Sequence, residues 1–311
     1  MIPAKESSPI RHTYILGNKY KLELCGHSEF NRLTSRGRGS GIVVTQWNAG
    51  DYAKNSQGQF AWALTLMERM DFAPDAYVLD IGCGDGKVSV EIARRVPDGR
   101  VLGVDNSPDM IELAQRTWCS RFPNVEFRVA DAQTLHAPRM VDFVFSNSTM
   151  HWIPDHLSVL RGVAAALKPG GRLVFSIGGR GTASVVYSSL GELTQLERWR
   201  RFLVGAASPH HFCGSEDYNE WLPQVGLTPR RIALVPKPMR HADQIALKGW
   251  LRTTWVPYTS RIPEDRRAQF VDELTERIRA KCDTDENGTI SLPMINLEVE
   301  AEKVAVPRAL R

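Results

Sequence analysis

The stretch VLDIGCGDGK, residues 78 to 87, packs three glycines into five residues directly behind an apolar run. Val78, Leu79 and Ile81 read as a buried strand, and Gly82, Gly84 and Gly86 as a tight turn leading into a helix. A dinucleotide fingerprint, G-x-G-x-x-G, would need its third glycine at position 87, which is Lys87. The sequence offers D-x-G-x-G-x-G, with Asp80 two residues ahead of the first glycine. A carboxylate at a strand end repels a diphosphate and suits a cationic ligand.

Working outward, strand-like segments recur at 77–81, 100–105, 125–131, 141–147 and 172–177, with helical patterns between them. The last of these helices places Leu157, Leu160, Ala164 and Leu167 on one face before Lys168-Pro169-Gly170-Gly171 stops it. Strict alternation of strand and helix predicts βαβ units and a parallel sheet. Ahead of the sheet, Phe60, Leu64 and Met67 predict an amphipathic helix within 47–70. Beyond residue 177 the rhythm changes. Helical stretches are predicted at 183–205, 215–224 and 243–282, a sixth strand at 230–237, and a last strand at 289–303 that Pro293 complicates. The blocks at 183–205 and 243–282 exceed what a minimal sheet domain needs and predict a helical lid.

Open parallel sheets bind ligands at the carboxyl ends of their strands. Asp105 ends the second predicted strand, where a carboxylate can accept from both hydroxyls of a ribose. Asp131 ends the third, followed by Ala132, where a side-chain oxygen and a backbone N–H can read an adenine edge. Asn106, Met110 and Asn147 complete the candidate cofactor set with Asp80, Gly82, Gly84 and Gly86. Each acid alone could merely cap a helix or turn. Three in succession around a glycine turn match the pattern of class I S-adenosylmethionine-dependent methyltransferases.

From Trp47 to about residue 180 the chain resembles the branch of small-molecule methyltransferases that contains trans-aconitate 2-methyltransferase and juvenile hormone acid methyltransferase. The resemblance rests on VLDIGCGDGKVSVEIARRVPDGRVLGVDNSPDMIELAQ, FRVADAQTL and SNSTMHWIPDHLSVLRGVAAALKPGGRLVFSI. It implies an α/β fold of Rossmann-like, doubly wound form, with a mostly parallel seven-stranded sheet and a helical lid. It also implies S-adenosyl-L-methionine as cofactor and an acceptor held by Trp47, Tyr52, Gln59, His151 and Trp152. Gln59 and Trp152 lead that set, because an amide and an indole N–H are neutral donors that hold a carboxylate without quenching it. His151 is the catalytic candidate should the acceptor need a base. In the lid, Trp255, Tyr258 and Arg261 are candidates to cap the acceptor, Arg261 by pairing with a second carboxylate.

The expected reaction is methyl transfer to an oxygen, a carboxylate first, of a small metabolite. The alternatives are N-, C- or phenolic O-methylation, or a module that binds the cofactor without turnover. Nucleic acid is not expected as a partner. The net charge of +4 is carried by residues 1–46, which leaves the remaining chain without a basic excess. The fourth strand also runs into Asn147-Ser148-Thr149-Met150 instead of the N-P-P-Y loop of amino-directed nucleic-acid enzymes. Five scattered cysteines with no C-x-x-C suggest free thiols, and neither they nor His210-His211 suggest a metal site. No apolar run of transmembrane length occurs, and a cytoplasmic monomer or homodimer is the expectation. Residues 1–44, rich in Gly, Ser and Arg at 34–41, are expected to be a mobile basic tail, with a natural start at Val43 or Val44. Residues 45–311 are expected to form the methyltransferase domain.

Overall fold

The computed structural model describes residues 49–135, 137 and 140–304, and the backbone of two short strands at 14–16 and 20–22. Those two strands pair antiparallel. Trp47, an expected acceptor contact, and the remainder of residues 1–44, the expected tail, lie outside the described residues.

The alternation read from the sequence becomes five parallel strands: β1 (Tyr77–Ile81), β2 (Arg100–Asp105), β3 (Val125–Val129), β4 (Val141–Asn147) and β5 (Leu167–Gly178). β6 (Leu227–Pro236) and β7 (Ile295–Lys303) complete a seven-stranded sheet of order β3-β2-β1-β4-β5-β7-β6. Only β7 runs antiparallel to its neighbours. Adjacent residues of β1 serve opposite faces, as the period of a strand requires. Val78 packs with α2 (Gln57–Met67), α3 (Lys87–Arg95) and α4 (Pro108–Trp118) on one side. Leu79 packs with α5 (His156–Ala166) and α8 (Ser215–Gln224) on the other. The order reverses between β1 and β4, which opens a crevice at their carboxyl ends.

Four local expectations shift. The first helix is two, α1 (Ala49–Asn55) and α2, broken at Ser56. β5 begins at Leu167 and runs through Lys168–Gly171, with a register irregularity against β4 between Val141 and Phe143. β3 stops at Val129, so Asp131 lies just past the strand and caps a short turn at Ala132–Thr134 by accepting from Gln133 N–H (2.9 Å). Pro293 divides the last strand. Ile290–Leu292 joins a small sheet with Met239–His241 and Asp283–Thr284, whereas β7 enters the main sheet.

The lid comprises α6 (Ser184–Gln195), α7 (Glu197–Leu203), α9 (Gln244–Thr254), α10 (Val256–Thr259) and α11 (Glu264–Arg279). It has its own core, including Trp199, Trp250, Trp255, Tyr258 and Phe270. The sheet is tied to the turn after α2 through Glu298, whose side chain is 3% exposed and bridges Arg69 (2.9 Å), Arg231 (2.6 Å) and Lys237 (3.0 Å). No helix among the described residues is long and apolar enough to cross a membrane.

Candidate active site

A cavity of about 930 Å³ lies at the carboxyl ends of β1, β2 and β4 and extends under the lid. Its floor at one end is the glycine turn. Gly82, Gly84 and Gly86 have φ of 73°, 54° and 79°, a backbone that side chains strain. A Cβ on Gly82 would overlap Thr149, whose hydroxyl donates to the Gly82 carbonyl (3.2 Å). A Cβ on Gly84 would meet nothing, because that side of the turn is open to the cavity. Gly86 does not line the cavity; a Cβ there would run into the Phe127 ring, so its role is packing.

The acids divide. Asp105 lines the cavity, its carboxylate oriented by the N–H groups of Gly84 (3.0 Å) and Ser107 (2.9 Å). Burial raises its pKa against the pull of those donors. Asn106, Met110, Asp131, Ala132 and Asn147 line the same space. Asp80 does not. It is 1% exposed beneath the turn and accepts from the Ser89 hydroxyl at 2.6 Å. Burial first, and the charge of Asp105 as a lesser cause, push its carboxyl up to about 7.

Among the acceptor candidates, Gln59, His151 and Trp152 line the cavity. Tyr52 lies within α1. Of the lid candidates, Trp255 reaches the cavity. Tyr258 is buried in the lid core, and Arg261 is exposed and lines no part of the cavity, so the pairing with a second carboxylate expected of it has no geometric basis. Exposed arginine heads favour water over a buried ion pair.

The sequence reading missed several lining residues. Trp62 sits one turn after Gln59 on α2, a spacing that could have exposed it. His210 and Phe212 stack in the loop before α8 with ring centroids 5.1 Å apart. Trp250 and Asn296 come from α9 and β7, where only a polar residue within a buried strand marked Asn296. Ser148 and Ala183, both lining the cavity, hold left-handed φ of 59° and 53°. Strain of this kind persists where the surroundings impose it and clusters at functional sites.

Several buried polar atoms at this cavity have no hydrogen-bond partner among the described residues: the amide oxygens of Gln59, Asn147 and Asn296 and the indole nitrogen of Trp250. The Asn147 amide nitrogen donates to the Gln59 backbone carbonyl (3.0 Å), and its oxygen has no donor among the described residues. Unmet acceptors beside a glycine cradle, with a carboxylate at the next strand end, fit a nucleoside bearing an ammonium group.

The comparisons agree. A family model described as a methyltransferase domain matches residues 78–171, which span β1 to the start of β5 and hold the glycine turn and all three acids. The chain is a class I S-adenosylmethionine-dependent methyltransferase. It is 27% identical over 266 residues to a trans-aconitate 2-methyltransferase of Methylobacterium nodulans, covering 84% of this chain and 99% of that one. The corresponding enzyme of Streptomyces coelicolor is 29% identical over 251 residues, covering 78% and 82%. In fold alone, the methyltransferase is like the YcgJ protein of Bacillus subtilis, with a TM-score of 0.52 at 18% identity, covering 80% of this chain and 98% of that one.

Proposed function

We propose that this methyltransferase esterifies a carboxylate oxygen of a small metabolite. When bound, S-adenosylmethionine supplies a methyl group on a sulfonium and departs as the neutral thioether. The cofactor's cationic end would lie on Gly82 and Gly84 with the Asn147 amide oxygen, its ribose on Asp105, and its adenine beside Asp131 and Ala132.

The observation that carries the reading is the hydrogen bond from Gly178 N–H to His151 Nδ1, at 3.2 Å. With Nδ1 accepting, the ring proton resides on Nε2, which is then a donor. Burial, and the neighbouring His156 as a lesser cause, press the His151 pKa down to about 3, so the ring stays neutral at physiological pH. His151 therefore offers the acceptor a neutral N–H and no base. A phenol or an amine, ionising near pH 10, needs a proton removed; a carboxylate is already ionised at pH 7. Catalysis then comes from alignment in an enclosed pocket, to which Gln59, His151 and Trp152 contribute donors. The names of the trans-aconitate 2-methyltransferase relatives also point to a carboxylic acid. The four described cysteines are unpaired, which suits a reducing, cytosolic compartment.

One observation favours a second reading. His210 lines the cavity with Nδ1 2.6 Å from the Tyr187 hydroxyl, and if Nδ1–H donates there, Nε2 is in acceptor form and could serve a phenol or amine. Labelled-methyl transfer followed by mild base separates the two, since only an ester releases methanol. On the carboxylate reading, His151→Ala lowers kcat/KM by about 10-fold, the worth of one hydrogen bond to a charged group. A loss approaching about 10⁴-fold, the scale of general-base catalysis, would overturn it.

A further inference from the structure

The part of the cavity away from the cofactor residues is walled chiefly by apolar rings and thioethers, with the polar side chains of Gln59, His151, His210, Thr254 and Asn296 among them. Trp62, Trp152, Phe212, Trp255, Met239 and Met294 form its walls. Among the described residues that line the cavity there is neither lysine nor arginine. Its three acids, Asp105, Asp109 and Asp131, all lie toward the cofactor end, at or just beyond β2 and β3. Arg252, on α9, is committed elsewhere: its guanidinium donates to both carboxylate oxygens of Asp51 at 2.8 Å.

One donor in this apolar region stands out. Trp250 is 4% exposed and lines the cavity, and its Nε1–H has no partner among the described residues. A buried indole N–H left unpaired is costly, and tryptophans so placed normally find an acceptor. A ligand oxygen is the acceptor this cavity admits.

Resting on the carboxylate reading above, we infer that the acceptor is an apolar acid with a single carboxylate, which Trp250 Nε1–H and His151 Nε2–H hold while its hydrocarbon body fills the aromatic and thioether slot. Charge balance gives the same answer. Bound S-adenosylmethionine carries a sulfonium, an ammonium and a carboxylate, hence one net positive charge. A monoanion is neutralised by it. A second or third carboxylate would enter a region whose described lining holds no cation, and an unpaired buried charge is heavily penalised. Neutral N–H donors also leave the attacking oxygen its electron density, which a guanidinium partner would withdraw. The slot therefore selects against the polyanions that a basic pocket would select for.

The test uses the full chain and two acid panels: cinnamate, phenylacetate and decanoate against citrate, propane-1,2,3-tricarboxylate and succinate. Binding to protein saturated with sinefungin, whose amine keeps a positive charge where the sulfonium lies, is measured by calorimetry, so that the result does not depend on which atom is methylated. At least one monoacid is expected to bind at least about 100-fold tighter than every polyacid, the scale of an unpaired buried charge. Trp250→Phe is expected to raise KM for that acid about 10-fold, with a smaller change in kcat and unchanged affinity for S-adenosylhomocysteine, which also certifies the variant as folded. Polyacids binding as well as monoacids, no monoacid binding at all, or a Trp250→Phe enzyme with unaltered KM would each overturn the inference. Esters formed from polyacids alone would remove it while leaving carboxylate methylation standing. Methylation confined to phenols or amines would instead remove the carboxylate reading.

Discussion

The two ends of the cavity are built by different rules. At the cofactor end, the lining residues sit where successive parallel strands stop, and each is fixed by backbone: Asp105 by two N–H groups, Gly82 by its left-handed turn against Thr149. At the acceptor end, the lining comes from α2, the loops around His151 and His210, α9 and β7, and much of it, Trp62, Phe212, Trp250 and Trp255 included, is fixed by side-chain packing in or against the separate lid core. The first arrangement tolerates little change because several constraints meet at single atoms. The second can be refitted to new ligands, since a packed apolar wall tolerates substitutions that conserve volume.

The sharpest way to break this contrast is to strain one glycine in the cofactor turn and one outside the cavity. Gly82→Val forces a side chain onto Thr149 in a left-handed backbone, and calorimetry with S-adenosylhomocysteine is expected to show no binding. Gly205→Ala, in the loop after α7, has a comparable φ of 77° but nothing for its Cβ to touch. It is expected to lower stability by about 1 kcal/mol with cofactor affinity kept. Equal loss of cofactor binding in both variants would mean that the turn is not a specific cradle.

Next in size is Asp105→Asn, which keeps the shape and removes the charge that accepts from Gly84 and Ser107. Cofactor binding is expected to weaken by roughly 10- to 100-fold, as for loss of a hydrogen bond to a charged group, with acceptor KM changed far less. A variant that weakens both equally would show the two ends to be one coupled unit.

The same contrast explains what the sequence disclosed. β1 to β4 and their acids were legible because a βαβ unit writes its binding residues next to its own hydrophobic period, so Asp105 and Asn147 follow directly from where the strands end. Asp80 was legible as an acid but not as a buried one, since burial depends on Ser89 and the turn folding over it. Trp250 was not legible, because its side chain joins a lid core whose apolar spacing looks the same whether a ring faces protein or ligand. Nor was the division at Pro293, which falls between two strands that are each interior to a different sheet, so that the chain changes sheets there. The hydrogen bonding of His151, named as a base only for an acceptor that needs one, was not legible either, because it depends on the Gly178 N–H, a tertiary contact.

The smallest expected effect concerns Asp80 and asks whether the cofactor end senses charge beyond its lining. Burial raises the Asp80 carboxyl to about 7, so near neutral pH the free protein carries it partly protonated. Its folded pKa lies above the unfolded value, so its favourable contribution to folding is complete below about pH 4 and is lost as pH rises through about 7. A cationic ligand seated on the turn directly above favours the ionised form and lowers that pKa. Cofactor binding near pH 7 should therefore release a fraction of a proton, read as a dependence of the binding heat on the ionisation enthalpy of the buffer. Asp80→Asn should abolish that dependence and make the free protein more stable at pH 8 than the parent. If the buffer dependence survived in Asp80→Asn, the proton would have to come from elsewhere, and the charge that the cofactor end presents would be carried by Asp105 alone.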